Sequence, residues 1–172
     1  NYAEWPAIVL AAWRCGLTLL PLESDMPHGR REEIEELCGA GLRLAVKEGG
    51  IKTIPLNSSP PRAGLRSDFL KLTSGTTAEP RAIRFTAAQL LADCDNVCDT
   101  MGLRESDRNY GAISFAHSYG FSNLITPLLC RGIPLVAASD VMPHALADGL
   151  ASSGATVFPG VPAIFRALAE LP

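Results

Sequence analysis

No G-x-x-x-x-G-K-[ST] segment and no G-x-G-x-x-G occurs in the 172 residues, so neither a Walker A loop nor a dinucleotide fingerprint is available for binding a nucleotide. Charge is sparse. Asp, Glu, Lys and Arg make up 19% of the chain, the formal net charge is −3, and Lys and Arg are scattered rather than gathered into a stripe. That argues against a nucleic acid held by bulk electrostatics. A C-x-x-C pair is missing too. Cys15, Cys38, Cys94, Cys98 and Cys130 are an odd number, which suits a reducing, cytoplasmic compartment better than a disulfide framework. The longest uncharged run, residues 109–130, is interrupted by Asn109, Ser114, His117, Ser118, Ser122 and Asn123 and is too polar to span a membrane. Asn1 is not preceded by an initiator Met and no signal peptide is visible, so the expectation is a piece excised from something longer.

What is present is enough apolar content, 47%, to bury a core, in one domain or part of one. The most informative stretch is residues 71–82, K-L-T-S-G-T-T-A-E-P-R-A. Phe69, Leu70 and Leu72 read as a strand leading into Thr73, Ser74, Gly75, Thr76 and Thr77, each with a hydroxyl or no side chain. Gly75 lets consecutive backbone N–H groups point into one concavity, and the hydroxyls add donors around it. A polyphosphate is the natural guest. Arg81 adds a permanent positive charge just past Pro80, whose fixed φ stiffens the exit. The same run also reads as a solvated turn.

This stretch resembles the phosphate-loop signature of the adenylate-forming (AMP-binding) enzymes, acyl-CoA and acyl-carrier-protein synthetases among them, usually T-S-G-T-T-G-x-P-K-G. Thr73, Ser74, Gly75, Thr76, Thr77 and Pro80 match, whereas Ala78 and Ala82 stand at usual glycines and Arg81 at the usual lysine. A second likeness lies at Phe115-Ala116-His117-Ser118-Tyr119-Gly120, where a strand gives way to an apolar helix. Read from the residues alone, a lone His in an apolar run is usually a packed, hydrogen-bonded core histidine, and that is the expectation for His117 before the resemblance is considered. The resemblance implies that His117 orients the substrate carboxylate, that Gly120 lets the helix approach closely, and that Tyr119 and Phe121 line the acyl pocket. It further implies ATP and Mg²⁺, a small-molecule carboxylic acid, and coenzyme A or the pantetheine of an acyl carrier protein as acceptor. The implied reaction is that of an acid–thiol ligase, of the kind met in fatty acid metabolism. The family's adenine signature, hinge and catalytic-lysine domain have no counterpart in these residues, so the piece alone is expected to be inactive and to self-associate through surface bared by truncation. Two other readings stay open: a nucleotide-binding regulatory module without catalysis, and a structural or interaction α/β domain.

The order of elements predicts an α/β fold, a layered parallel sheet of Rossmann-like βα alternation forming part of an N-terminal domain. Residues 1–56 read as a leading αβ segment, 57–67 as a linker, and 68–172 as the phosphate-loop and acyl-pocket segment. A helix over residues 3–15 stops at Gly16 and is followed by a strand over 18–22; Ser24-Asp25-Met26-Pro27 signals a second helix. Strands are expected at 42–46 and 51–56 around Gly49-Gly50, then at 110–114, 133–138 and 155–158. Thr86-x-x-Gln89 is a capping box opening a helix to Met101. Its Leu90, Cys94, Val97, Cys98 and Met101 form an apolar stripe, which makes the two thiols small core residues rather than metal ligands. Helices over 121–130, 142–153 and 161–171 complete the alternation, the last opened by Gly160-Val161-Pro162, a helix start that also resembles the family's V-P-T stretch.

Overall fold

The computed structural model describes residues 1–47, 50–57, 67–73, 81–138 and 140–171. Helix α1 (Trp5–Arg14) carries Pro6 in its first turn, where the missing N–H costs nothing, and buries Val9 and Ala12. The segment after it is not a full strand: Leu19 alone bridges Phe69 in parallel, its N–H bonding the Asp68 carbonyl at 3.1 Å. Helix α2 (His28–Cys38) follows Pro27 and ends at Gly39, which takes φ 63°. Glu35 is buried on its inner face and is held by Arg43, whose Nε donates at 2.6 Å.

Strands β1 (Leu42–Lys47) and β2 (Gly50–Pro55) pair antiparallel from Leu42↔Pro55 to Lys47↔Gly50. So do β3 (Phe69–Thr73) and β4 (Arg81–Phe85), from Phe69↔Phe85 to Thr73↔Arg81. Both pairs are antiparallel because their connections are too short for a crossover, so the parallel alternation expected for the whole chain belongs to its later part. There β5 (Asn109–Gly111) pairs in parallel with β6 (Leu135–Ala137), and Val157 bridges Asn109 in parallel on the other side. The strand expected over 155–158 is thus a single bridge. Of the linker expected at 57–67, residues 58–66 lie outside the described residues.

Helix α3 (Ala87–Met101) starts as its sequence requires: the Gln89 N–H donates to Thr86 Oγ1 at 3.3 Å, and the Thr86 N–H to Gln89 Oε1 at 2.9 Å. Cys94 and Cys98 are buried with Ile133, their sulfurs 3.9 Å apart, and burial raises both thiol pKa values, that of Cys98 to about 11. The helix expected over 121–130 starts earlier and is irregular: α4 (Ser118–Gly120) precedes it, and the expected range divides into a π-helical turn (Phe121–Ile125) and α5 (Thr126–Arg131). Pro127 explains the irregularity, since it has no N–H for the Asn123 carbonyl one turn back. That carbonyl accepts instead from Asn109 Nδ2 at 3.5 Å. Helices α6 (Pro143–Ser153) and α7 (Pro162–Ala169) pack on the β5 end, with Tyr110, Leu146 and Phe158 between them. At the start of α7, Val161 is the N-cap and Pro162 the first helical residue, which satisfies the helix-start reading.

The main core gathers Val9, Phe69, Leu90, Phe115, Phe121, Leu124 and Ile125, with Trp5 and Trp13 against it. It therefore joins α1 to the hairpin and to the π turn. No helix among the described residues is long and apolar enough to cross a membrane.

Candidate functional site

The β3–β4 hairpin delivers the Ser/Thr/Gly run. Strand β3 brings the chain to Thr73, β4 takes it away from Arg81, and these two residues face each other in register. The Thr73 hydroxyl also donates to the Arg81 carbonyl at 3.4 Å, and both side chains are exposed. Ser74, Gly75, Thr76 and Thr77, four of the residues expected to hold phosphate, lie outside the described residues.

The second cluster is built by the start of α4. His117 caps this helix: its Nδ1 accepts the Tyr119 N–H at 3.2 Å, which puts the proton of the neutral ring on Nε2. His117 and Tyr119 are exposed, so His117 is a capping residue at the surface and not a packed core histidine. Gly120 is buried against the segment that follows β5, which ends at Gly111 and not at Ser114 as expected; a Cβ there would meet the Ser114 carbonyl oxygen at 2.0 Å. Phe121 sits in the core. Its ring has no exposed surface and lies 4.0 Å from that of Phe69, 6.3 Å from Trp5 and 6.5 Å from Trp13, centroid to centroid. Successive residues on a helix point about a quarter turn or more apart, so a chain that exposes Tyr119 can send Phe121 into the core.

Between the two clusters lies a polar group that the sequence reading missed. Lys71 Nζ donates to Ser122 Oγ at 2.8 Å, Ser122 donates to Asp93 Oδ2 at 2.5 Å, and Lys71 and Asp93 are 3.6 Å apart. The ammonium also sits 4.8 Å above the Phe85 ring. A signal was available: in F-L-K-L-T the lysine shares a strand face with Phe69 and so points toward the core.

The segment between β5 and His117 is pinned as well. Ser114 Oγ donates to Glu23 Oε2 at 2.8 Å, and the Asn1 side chain bonds the Gly111 and Ile113 carbonyls and the Phe115 N–H. A cavity of about 1590 Å³ reaches this segment, with Trp5, Leu19, Glu23, Arg31, Ser114 and Ala116 in its wall; Thr73, Arg81, His117 and Tyr119 do not line it.

Residues 68–172, from the hairpin through both clusters to the last helix, match the family model of the AMP-binding enzymes. The chain belongs to the AMP-binding enzyme family. Feruloyl-CoA synthase from Amycolatopsis sp is 26% identical to this AMP-binding chain over 136 residues, 77% of the chain and 27% of that protein. Pyochelin synthetase PchE from Pseudomonas aeruginosa is 29% identical over 113 residues. Among solved structures, o-succinylbenzoate CoA synthetase (MenE) from Bacillus subtilis, in complex with the acyl-adenylate intermediate OSB-AMP, superposes on 100% of the chain with TM-score 0.79 at 19% identity. The N-terminal domain of FACL13 from Mycobacterium tuberculosis does so with TM-score 0.81 at 15% identity. These likenesses carry the α/β fold of the AMP-binding enzymes. The chain spans 27% of the length of the first relative and 50% of each of the two structures.

Proposed function

We propose that this chain supplies the nucleotide- and acid-holding part of an ATP-dependent acid–thiol ligase. In that reaction a carboxylate oxygen attacks the α-phosphorus of ATP, the acyl–phosphate bond forms as the α–β anhydride breaks and pyrophosphate leaves; a thiol then gives up its proton and attacks the acyl carbon, the thioester forms as the acyl–phosphate bond breaks, and AMP leaves. One observation carries the reading: the Thr73↔Arg81 pairing spans the Ser/Thr/Gly run at its two ends, within the segment that matches the family model. Thr73, Ser74, Gly75, Thr76 and Thr77 would hold the β- and γ-phosphates, with Arg81 balancing leaving-group charge. Bound Mg²⁺ would neutralise further phosphate charge, and the loop hydroxyls are hard oxygen donors of the kind it accepts. His117 would orient the carboxylate, and Tyr119 and Gly120 would border the acyl group.

The names of the relatives favour coenzyme A over a carrier-protein pantetheine as acceptor, and an acid with an apolar acyl or aryl group as substrate. A reducing, cytoplasmic setting is proposed on the cysteine pattern alone, an odd number without C-x-x-C spacing.

Titration of ATP·Mg²⁺ into the wild-type chain, Thr76→Ala and Arg81→Ala tests the cradle. Each substitution is expected to weaken binding roughly tenfold or more, as lost charge-assisted hydrogen bonds do. Affinity that survives both removes the cradle; binding without any ATP–pyrophosphate exchange in the longer protein marks a regulatory module instead. Because the chain spans only 27% of its first relative, negligible exchange is expected from the chain alone. Leu37, Met101, Val141, Met142 and Phe165 are exposed, and a second copy of the chain is proposed to cover part of this apolar surface. Sedimentation should show species larger than the monomer; a monodisperse monomer that binds no apolar dye ends that proposal.

A further inference from the structure

Strand β3 and the π turn run past each other step for step. Phe69 stacks on Phe121, and Lys71, the next residue on the same strand face, reaches Ser122, the next residue of the turn. Thr73, the first residue of the cradle, follows on that face, while Tyr119 and Gly120 immediately precede Phe121 on the other element. Lys71 therefore stands between the two halves of the site described above. Its side chain is only 10% exposed, and that of Asp93 39%.

Stability does not explain a lysine there. A buried ion pair is commonly no better than well-packed apolar groups of similar volume, and the neighbouring Phe69 and Phe85 would accept one. What the polar group adds is direction. The Ser122 hydroxyl uses its one proton toward Asp93 and a lone pair toward Lys71, so the arrangement admits one relative placement of β3, α3 and the π turn. An apolar contact would tolerate sliding. The π-helical backbone at residues 121–125 adds a second sign, since such turns are frequent at functional positions.

We propose that Lys71, Ser122 and Asp93 form a positioning network that locks the strand entering the phosphate cradle to the helix that carries Tyr119 and Gly120, so that the nucleotide and acid ends of the site move as one unit. The reference to nucleotide and acid rests on the proposed function; the mechanical coupling does not. The three are assigned a positioning role, exerted through the elements they join.

The test uses this chain and two readouts. In amide NMR spectra without nucleotide, Ser122→Ala is expected to shift the Thr73 and Arg81 resonances, and Lys71→Met those of Tyr119 and Gly120. Asp93→Asn, at a partly exposed position where folding is secure, is expected to shift both sets. Shifts confined to residues touching the substituted side chain overturn the proposal. In ATP·Mg²⁺ titrations, Lys71→Met and Ser122→Ala should each weaken binding roughly tenfold, and the double substitution should do little more than either alone, as members of one network behave. Additive losses overturn it. A wild-type chain that fails to bind ATP defeats the nucleotide reading, while the amide spectra still decide the network.

Discussion

Gly120→Ala is expected to destabilise the chain by about 3 kcal/mol or more, at or above the top of the usual range for an added methyl group in a packed site. The new Cβ would lie 2.0 Å from the Ser114 carbonyl oxygen and 2.9 Å from its carbon. Both are backbone atoms, so no rotamer change relieves the contact. Nor can the segment after β5 withdraw freely, because Ser114 is tied to Glu23 and the Phe115 N–H to Asn1. The helix has to lift, which pulls Phe121 and Leu124 out of the core. For a chain of this size the loss corresponds to a drop of roughly 6–12 °C in Tm, read by thermal unfolding. Gly29→Ala is the control: it sits in α2 with nothing within 4 Å of the added Cβ, and should be neutral or stabilising by about 0.5–1 kcal/mol. Equal effects of the two substitutions would mean that the close approach at Gly120 is not real.

The second large effect is expected from Phe121→Ala, at about 3–5 kcal/mol, the cost of removing a fully buried aromatic ring and leaving a cavity. This ring meets Trp5 and Trp13, the two tryptophans of the chain, on α1, and Phe69 on β3. The substitution should thus change tryptophan fluorescence in the folded state as well as lower the urea midpoint. Tyr119→Ala, at an exposed position, should stay within about 0.5 kcal/mol of wild type. A Phe121→Ala cost below about 1 kcal/mol would return Phe121 to the acyl pocket that the resemblance had assigned to it.

The family was legible from one short stretch, because Thr73, Ser74, Gly75, Thr76, Thr77 and Pro80 follow an apolar strand at the family's spacing, and that strand is β3. The capping box at Thr86 and Gln89 was legible for a similar reason: both partners lie within one turn, so local chemistry decides the helix start. Of the expected stripe Leu90, Cys94, Val97, Cys98 and Met101, the structure buries Leu90, Cys94 and Cys98, leaves Val97 half-buried and exposes Met101 at the helix end, where no described element packs against it closely enough to cover it. Residues 18–22 and 155–158 were less legible. They have strand composition, but a ladder needs a partner aligned along its length, and each finds only one bridging residue.

Sequence by itself determined the local features: the capped start of α3, the glycine stop of α2, the Pro-led start of α7, and where a hydroxyl-rich run meets a strand, since each depends on residues within a turn or two of one another. The tertiary structure decided what depends on residues distant along the chain. It turned Phe121 inward against Trp5 and Trp13, set Gly120 on the Ser114 carbonyl, and brought Lys71, Asp93 and Ser122 into one hydrogen-bonded group. The physical reason is that a side chain's environment is made by whatever the fold packs across from it, and neither spacing nor composition records that partner.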